Sequence, residues 1–161
     1  MADRWPLRGT GEYGITVTRV FDAPRERVWR EWTEPERFAD WYGGPTYKIA
    51  LDEISMDVRE GGKWTAVMRG PNDHVIHWDG EYLVVIEPEK LSFTVSDQPE
   101  ENVYDLCTVE LTDLAGTRTE MRFTQSGGHM PAEAYRRARE GWGGFFERIA
   151  ERLANQTGGN Q

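Results

Sequence analysis

Large apolar residues recur at helical spacing near the end of the chain. Tyr135, Trp142, Phe145, Phe146, Ile149 and Leu153 share one stripe, with Arg136, Arg137, Glu140, Glu147, Arg148 and Glu151 on the other side. The spacing predicts an amphipathic helix over about 131–154, roughly 35 Å long and able to cross a whole sheet. Ahead of it the period changes to two. Residues 15–21 alternate and are β-branched, which predicts a first strand. Asp22-Ala-Pro24 then opens a helix with Val28, Trp29 and Trp32 on its apolar side, Asp22 or Ala23 capping and Pro24 in the first turn. Thr33-Glu-Pro-Glu36 has the spacing of a capping box and predicts a second short helix through Phe38 and Trp41, stopped by Gly43-Gly44-Pro45.

Six further strands are predicted at 49–58, 63–69, 75–86, 91–96, 103–112 and 118–125. Turn signals separate most neighbours: Arg59-Glu-Gly-Gly62, Pro71-Asn-Asp73, Glu87-Pro-Glu-Lys90 and Asp113-Leu-Ala-Gly116. Consecutive hairpins imply an antiparallel meander, and strands grouped between helices imply an α+β fold. The expected organisation is an N-terminal arm over 1–14, one domain over 15–154 and a flexible C-terminal tail over 155–161.

Composition narrows the function classes. A chain of 161 residues buries roughly 70% of its extended surface as one domain, enough for a sizeable core. The net charge of −9 argues against nucleic acid, and the densest basic cluster, Arg136-Arg137-Ala-Arg139, is flanked by acids. Cys107 is the single cysteine, so no intrachain disulfide can form. No apolar run reaches the length of a membrane span and residues 1–10 lack a signal-peptide core, so a cytoplasmic protein without membrane insertion is expected.

The motifs in this order resemble those of the AHSA family, stand-alone relatives of the C-terminal domain of the activator of heat shock protein 90 ATPase. They are Asp22-Ala-Pro24 with Val28-Trp29, then Trp41, Gly61-Gly62, Gly80-Glu-Tyr82, Pro88-x-x-Leu91, Gly116-Thr117, Thr124-Gln-Ser and Gly141-Trp142. The family belongs to the START-like, birch-pollen-allergen-like superfamily, also called SRPBCC, and the resemblance covers about residues 15–153. It implies a helix-grip fold: a curved seven-stranded antiparallel sheet around the long C-terminal helix, two short helices between strands 1 and 2, and a hydrophobic cavity. It implies no single activity, since the superfamily holds carriers, hormone and flavonoid binders, polyketide cyclases and aromatases, and antibiotic self-resistance proteins.

Seven Trp, six Tyr and six Phe suit both a packed core and a pocket for flat ligands, with core packing the default for each ring. Trp64-x-Ala-x-Met68 and Met121-x-Phe123 are same-face sets able to face Trp142 and Phe145 on the helix. The ligand-binding candidates are Trp41, Trp64, Met68, Trp78, Phe93, Met121, His129, Tyr135, Trp142 and Phe145, with His129 in the Gly-rich loop expected at the cavity mouth. Gly141, Gly143 and Gly144 within the helix call for close backbone approach, a ligand or a local bend. Asp57 and Arg122 are charges within strands that could point inward, outward being the default.

Catalytic patterns are thin. His74 and His77, with Asp73 and Asp79, read as a polar turn before they read as a metal site. Ser126 near His129 does not sit in a Gly-x-Ser-x-Gly elbow. Arg8-Gly-Thr-Gly11 precedes a strand where a dinucleotide loop would follow one, and Cys107 reads as a core thiol. No cofactor and no catalytic residue is therefore assigned. The expected function is binding or carriage of a small hydrophobic, aromatic or polyketide-like ligand, by a monomer or weak homodimer. A cyclase- or aromatase-like enzyme or a sacrificial self-resistance protein is the first alternative. A chaperone-ATPase-regulating module is the second, ranked lower because the sequence shows no counterpart of the activators' additional N-terminal domain.

Overall fold

The computed structural model describes residues 14–127 and 130–159. Residues 1–13 of the predicted arm and His129 lie outside the described residues, and Gly14, placed in the arm, opens the first strand. The element order is β1 (Gly14–Phe21), α1 (Arg25–Thr33), α2 (Pro35–Trp41), β2 (Lys48–Met56), β3 (Lys63–Arg69), β4 (Val75–Ile86), β5 (Lys90–Val95), β6 (Asp105–Leu114), β7 (Arg118–Ser126) and α3 (Ala132–Gly159), with 3-10 turns at Pro71–Asp73 and Pro99–Glu101. All seven strands join one antiparallel sheet in the order β1-β7-β6-β5-β4-β3-β2. This is the α+β, helix-grip arrangement that the meander and the closing helix imply. The first and second strands are its edges, and the two short helices span the interval between them.

Alternation decides which side chains meet α3. In the cross-strand row Ile15, Gln125, Cys107, Phe93 and Tyr82 all point to the buried face, as do Phe123, Val109 and Leu91 in the next. On α3, Trp142, Phe146, Ile149 and Leu153 are buried, and Phe123 meets Trp142 and Phe146 at ring-centroid distances of 4.4 and 5.3 Å. Trp32 of α1 fills the space between, stacked on Phe123 at 5.9 Å and in edge contact with Trp41 at 4.9 Å.

Details of the helix ends differ from expectation. The second helix is capped by Glu34, which makes no side-chain capping bond, and Thr33 instead hydrogen-bonds back to the Trp29 carbonyl at 2.9 Å. The proline at the first helical position accounts for this: with no N–H there, the reciprocal bonds of a capping box are not needed to start the turn. The first helix begins after Pro24, likewise without a side-chain cap. The last helix reaches Gly159, beyond the 154 at which its apolar stripe ends.

One glycine has a clear packing reason. A Cβ at Gly80 would lie 1.9 Å from the Thr94 carbonyl oxygen and 2.3 Å from Trp64 Nε1. Its absence lets the buried indole donate to that carbonyl at 3.0 Å, which ties β3 to β5 across β4.

Candidate functional site

The aromatic filling is uneven, and a cavity of about 330 Å³ remains toward the N-terminal half of α3. The last helix contributes Ala138, Gly141, Trp142 and Phe145, residues at i, i+3, i+4 and i+7 and so on one face. Opposite them, the i, i+2 spacing of Ile76 and Trp78 on β4 brings both to the cavity, where they join Met68 at the end of the buried Trp64, Ala66, Met68 series. Trp78 Nε1 donates to Met68 Sδ at 3.4 Å.

Tyr42 makes the wall continuous. It follows Phe38 by one helical turn and stacks on it at 4.7 Å, just before the chain turns away through Gly43 at φ +99°. Its ring lies 5.4 Å from Trp78, 5.7 Å from Trp142 and 5.6 Å from Phe145. Burial, reinforced by the neighbouring Cys107 and Asp97, pushes the Tyr42 phenol well above its usual pKa. It stays protonated, a neutral O–H in the wall.

One corner of the cavity is polar. Asp105 opens β6 on its buried face and is 2% exposed. Gln125 Nε2 donates to it at 2.7 Å, and the Tyr135 hydroxyl donates at 3.2 and 3.3 Å. With its amide nitrogen committed to the carboxylate, Gln125 turns its oxygen to Trp142 Nε1, which donates at 2.8 Å. The chain Trp142, Gln125, Asp105 therefore fixes the orientation of the indole that faces the cavity. Gly127 passes so close that a Cβ there would lie 1.9 Å from Asp105 Oδ1. Burial first, then Asp105, raises the Cys107 thiol well above its usual pKa, as expected of a core thiol.

Of the candidates named from sequence, Met68, Trp78, Trp142 and Phe145 line the cavity. Trp41, Trp64, Phe93 and Met121 do not: they are 0 to 4% exposed within the filled part of the core. Trp41 uses its indole to reach the Glu31 carbonyl at 2.8 Å, and its ring backs Trp142 and Phe145 from behind at 6.5 and 6.4 Å. Tyr135 lies behind the lining and acts on it through Asp105. Tyr42, Asp105 and Gln125 are lining residues the sequence reading missed. For two of them a signal existed. Asp105 shares the parity of Cys107, Val109 and Leu111, and Gln125 that of Phe123 and Met121, so each is a polar residue at a core-facing position.

The charges considered as inward-pointing lie outside. Asp57 is exposed and pairs with Arg59 at 3.0 Å, and Arg122 faces solvent between Met121 and Phe123. His74 and His77 are exposed too, His74 holding the Tyr47 hydroxyl at 2.7 Å beside the cavity. Among the described residues, no group of three His, Cys, Asp or Glu is placed to hold a metal, and no helix is long and apolar enough to cross a membrane.

The family model "Activator of Hsp90 ATPase homolog 1-like protein" matches residues 22–154, from the turn before α1 to the last apolar turns of α3. The chain belongs to this AHSA1 family. Solved structures agree on the fold. A protein from Arthrobacter aurescens is 23% identical, with 92% of this chain and 91% of that one covered at a TM-score of 0.76. One from Chromobacterium violaceum is 21% identical over 86% and 95% of the two chains at 0.75. A Staphylococcus aureus protein, described as of unknown function, is 21% identical over 89% and 94% at 0.71. No curated protein sequence matches the chain. At these identities the structural likeness establishes the AHSA1 fold and leaves the chemistry to the cavity itself.

Proposed function

We propose that this AHSA1 protein binds or carries a small, flat, mostly apolar molecule in the cavity between α3 and the sheet. The observation that carries the reading is the wall of Tyr42 and the three rings within 5.4 to 5.7 Å of it, Trp78, Trp142 and Phe145, which border open space while rings deeper in the core pack on one another. A space of about 330 Å³ is roughly twice the ~150 Å³ that accepts one benzene, which suits a body of two or three fused rings. Mostly apolar walls with a few fixed polar groups are the usual constitution of a small-molecule site.

Native mass spectrometry of protein isolated from its own source tests this directly, together with calorimetric titration of fused-ring compounds. A copurified small molecule, or saturable binding, is expected. Ala138→Leu is the control variant. It adds apolar bulk on a cavity-lining helix position without removing any core contact, so it should weaken binding at least tenfold while leaving the melting temperature within a few degrees. Unchanged affinity in that variant would place the ligand elsewhere.

A further inference from the structure

The last helix is held unequally along its length. After its glycines, Phe146, Ile149 and Leu153 are buried, Arg152 and Arg148 reach Asp40, Arg152 also reaches Glu31, and Arg19 of β1 pairs with Glu147 at 2.9 Å. The Arg27 guanidinium of α1 donates to the Leu153 carbonyl at 2.9 Å. Before the glycines, the turns over residues 132–140 bury one large side chain, Tyr135, and otherwise present partly buried alanines and exposed charges. The Tyr135 hydroxyl reaches Asp105 at 3.2 and 3.3 Å, longer than the ~2.7 Å usual for a hydroxyl on an oxygen acceptor.

The glycines stand where the two regimes meet. Packing does not require Gly141, Gly143 or Gly144, since a Cβ on any of them meets nothing within 4 Å. What they do supply is a weak stretch of helix: each favours the helical state about fivefold less than alanine and accepts backbone angles that alanine does not. The amides of Gly143 and Gly144 bond the carbonyls four residues back, those of Arg139 and Glu140, so a bend here frees the turns in front of it. Those turns form part of the cavity wall through Ala138, and Gly141 lines it at the junction. A segment with few buried apolar side chains opens locally far more often than the core does.

We propose that residues 132–140 are a lid over the cavity, hinged at residues 141–144, which swings outward to admit the ligand while the following turns of α3 stay clasped to α1 and α2. Trp142 stays with the sheet, on Gln125 and Phe123, so the aromatic wall is in place when the ligand arrives. The inference rests on the reading of the cavity as a ligand site and adds the motion that controls entry and exit. Because the lid is closed in both the free and the occupied protein, its ease of opening sets how fast a ligand exchanges and leaves the affinity unchanged.

Hydrogen exchange on the free protein tests the opening, and stopped-flow tryptophan fluorescence with 2-naphthylmethanol and 9-anthracenylmethanol tests its control of entry. Amides of residues 136–141 should exchange at least about tenfold faster than those of residues 146–153. Gly143→Ala with Gly144→Ala, neither in the cavity lining, should slow association and dissociation of both probes together, roughly fivefold to tenfold, with Kd within about twofold of its original value. Tyr135→Phe removes the hydroxyl on Asp105 and keeps the ring, so dissociation should quicken about threefold. Equal exchange in the two halves of the helix, or an alanine pair that raises the melting temperature and leaves both rates as they were, would overturn the lid and leave the cavity reading standing. If neither probe binds, the cavity reading fails and the lid has no ligand to admit, whatever the exchange pattern shows.

Discussion

At the residue scale, the three glycines of α3 turn out to be unconstrained. A Cβ added at Gly141, Gly143 or Gly144 would meet nothing within 4 Å, so close approach of the sheet, one of the reasons their presence suggested, does not operate. The helix runs unbroken through all three. Each therefore carries the helix-propensity cost of glycine, about 1 kcal/mol against alanine, without a steric return. Alanine at Gly143 and Gly144 together should raise the unfolding free energy by about 1–2 kcal/mol in urea melts and leave ligand affinity unchanged. Gly141→Ala should stabilise similarly but alter affinity, because Gly141 borders the cavity. A loss of stability at any of the three would reveal a neighbour the static packing lacks. The contrast with Gly80 and Gly127, which backbone and carboxylate atoms press from 1.9 Å, shows what sequence conceals. A glycine's letter does not say whether its missing Cβ is forbidden or merely absent. Asp105 and Gln125 were more legible, since strand parity alone places them on the apolar face.

At the element scale, period and turn residues account for all seven strands and three helices, because each element buries one face and its sequence has to display that face. The break in β2 was also written in the pattern. Ile49 and Leu51 have one parity and Ile54, Met56 and Val58 the other. In the sheet, four residues of β2 lie between Ile49 and Ile54, opposite the single Val67 of β3, and Leu51 is left 60% exposed. What no pattern displays is the clasp between distant elements. Glu31 falls on the apolar stripe of α1 and is 0% exposed, and its partner lies 121 positions away, where Arg152 Nε donates to it at 2.7 Å. Arg37 stands 3.7 Å from its other oxygen, while Arg152 and Arg148 of α3 both reach Asp40 of α2. Removing one partner from a buried ion pair typically costs 3–5 kcal/mol. Because Arg37 remains and Arg152 is partly solvated, Arg152→Met should cost about 2–3 kcal/mol, measured by chemical denaturation. Adding Glu31→Leu to that variant should restore most of the loss, since no carboxylate then lacks its cation. If the double variant is no more stable than the single one, the clasp contributes through packing and its charges are incidental.

For the molecule as a whole, sequence could not say whether its aromatic residues fill the interior or line a space, because the same rings do both here. Trp32, Trp41, Phe93, Phe123 and Phe146 pack one end of the grip, and Tyr42, Trp78, Trp142 and Phe145 leave the other end open. Filling by aromatics rather than by aliphatic residues also has a consequence in alkali. Three weak acids, Cys107, Tyr42 and Tyr82, are buried as neutral groups, and burial raises the pKa of each in the folded state. In the unfolded chain they return to about 8.5 for the thiol and 10 for the phenols. A group whose folded pKa is raised contributes stability that is complete below its unfolded pKa and is lost as pH climbs toward the folded value, because the unfolded chain then binds fewer protons. Stability should therefore hold through neutral pH, begin to fall above about pH 8.5 at up to about 1.4 kcal/mol per pH unit as Cys107 enters, and steepen above pH 10 to at most about 4 kcal/mol per unit when both tyrosines join. Urea melts from pH 7 to 11 measure the slope. Cys107→Ala should remove the first segment of the fall and keep the second. A flat profile to pH 11 would mean that these groups ionise in the folded protein as they do in water, and that the core around Tyr42 and Cys107 is wetter than its burial indicates.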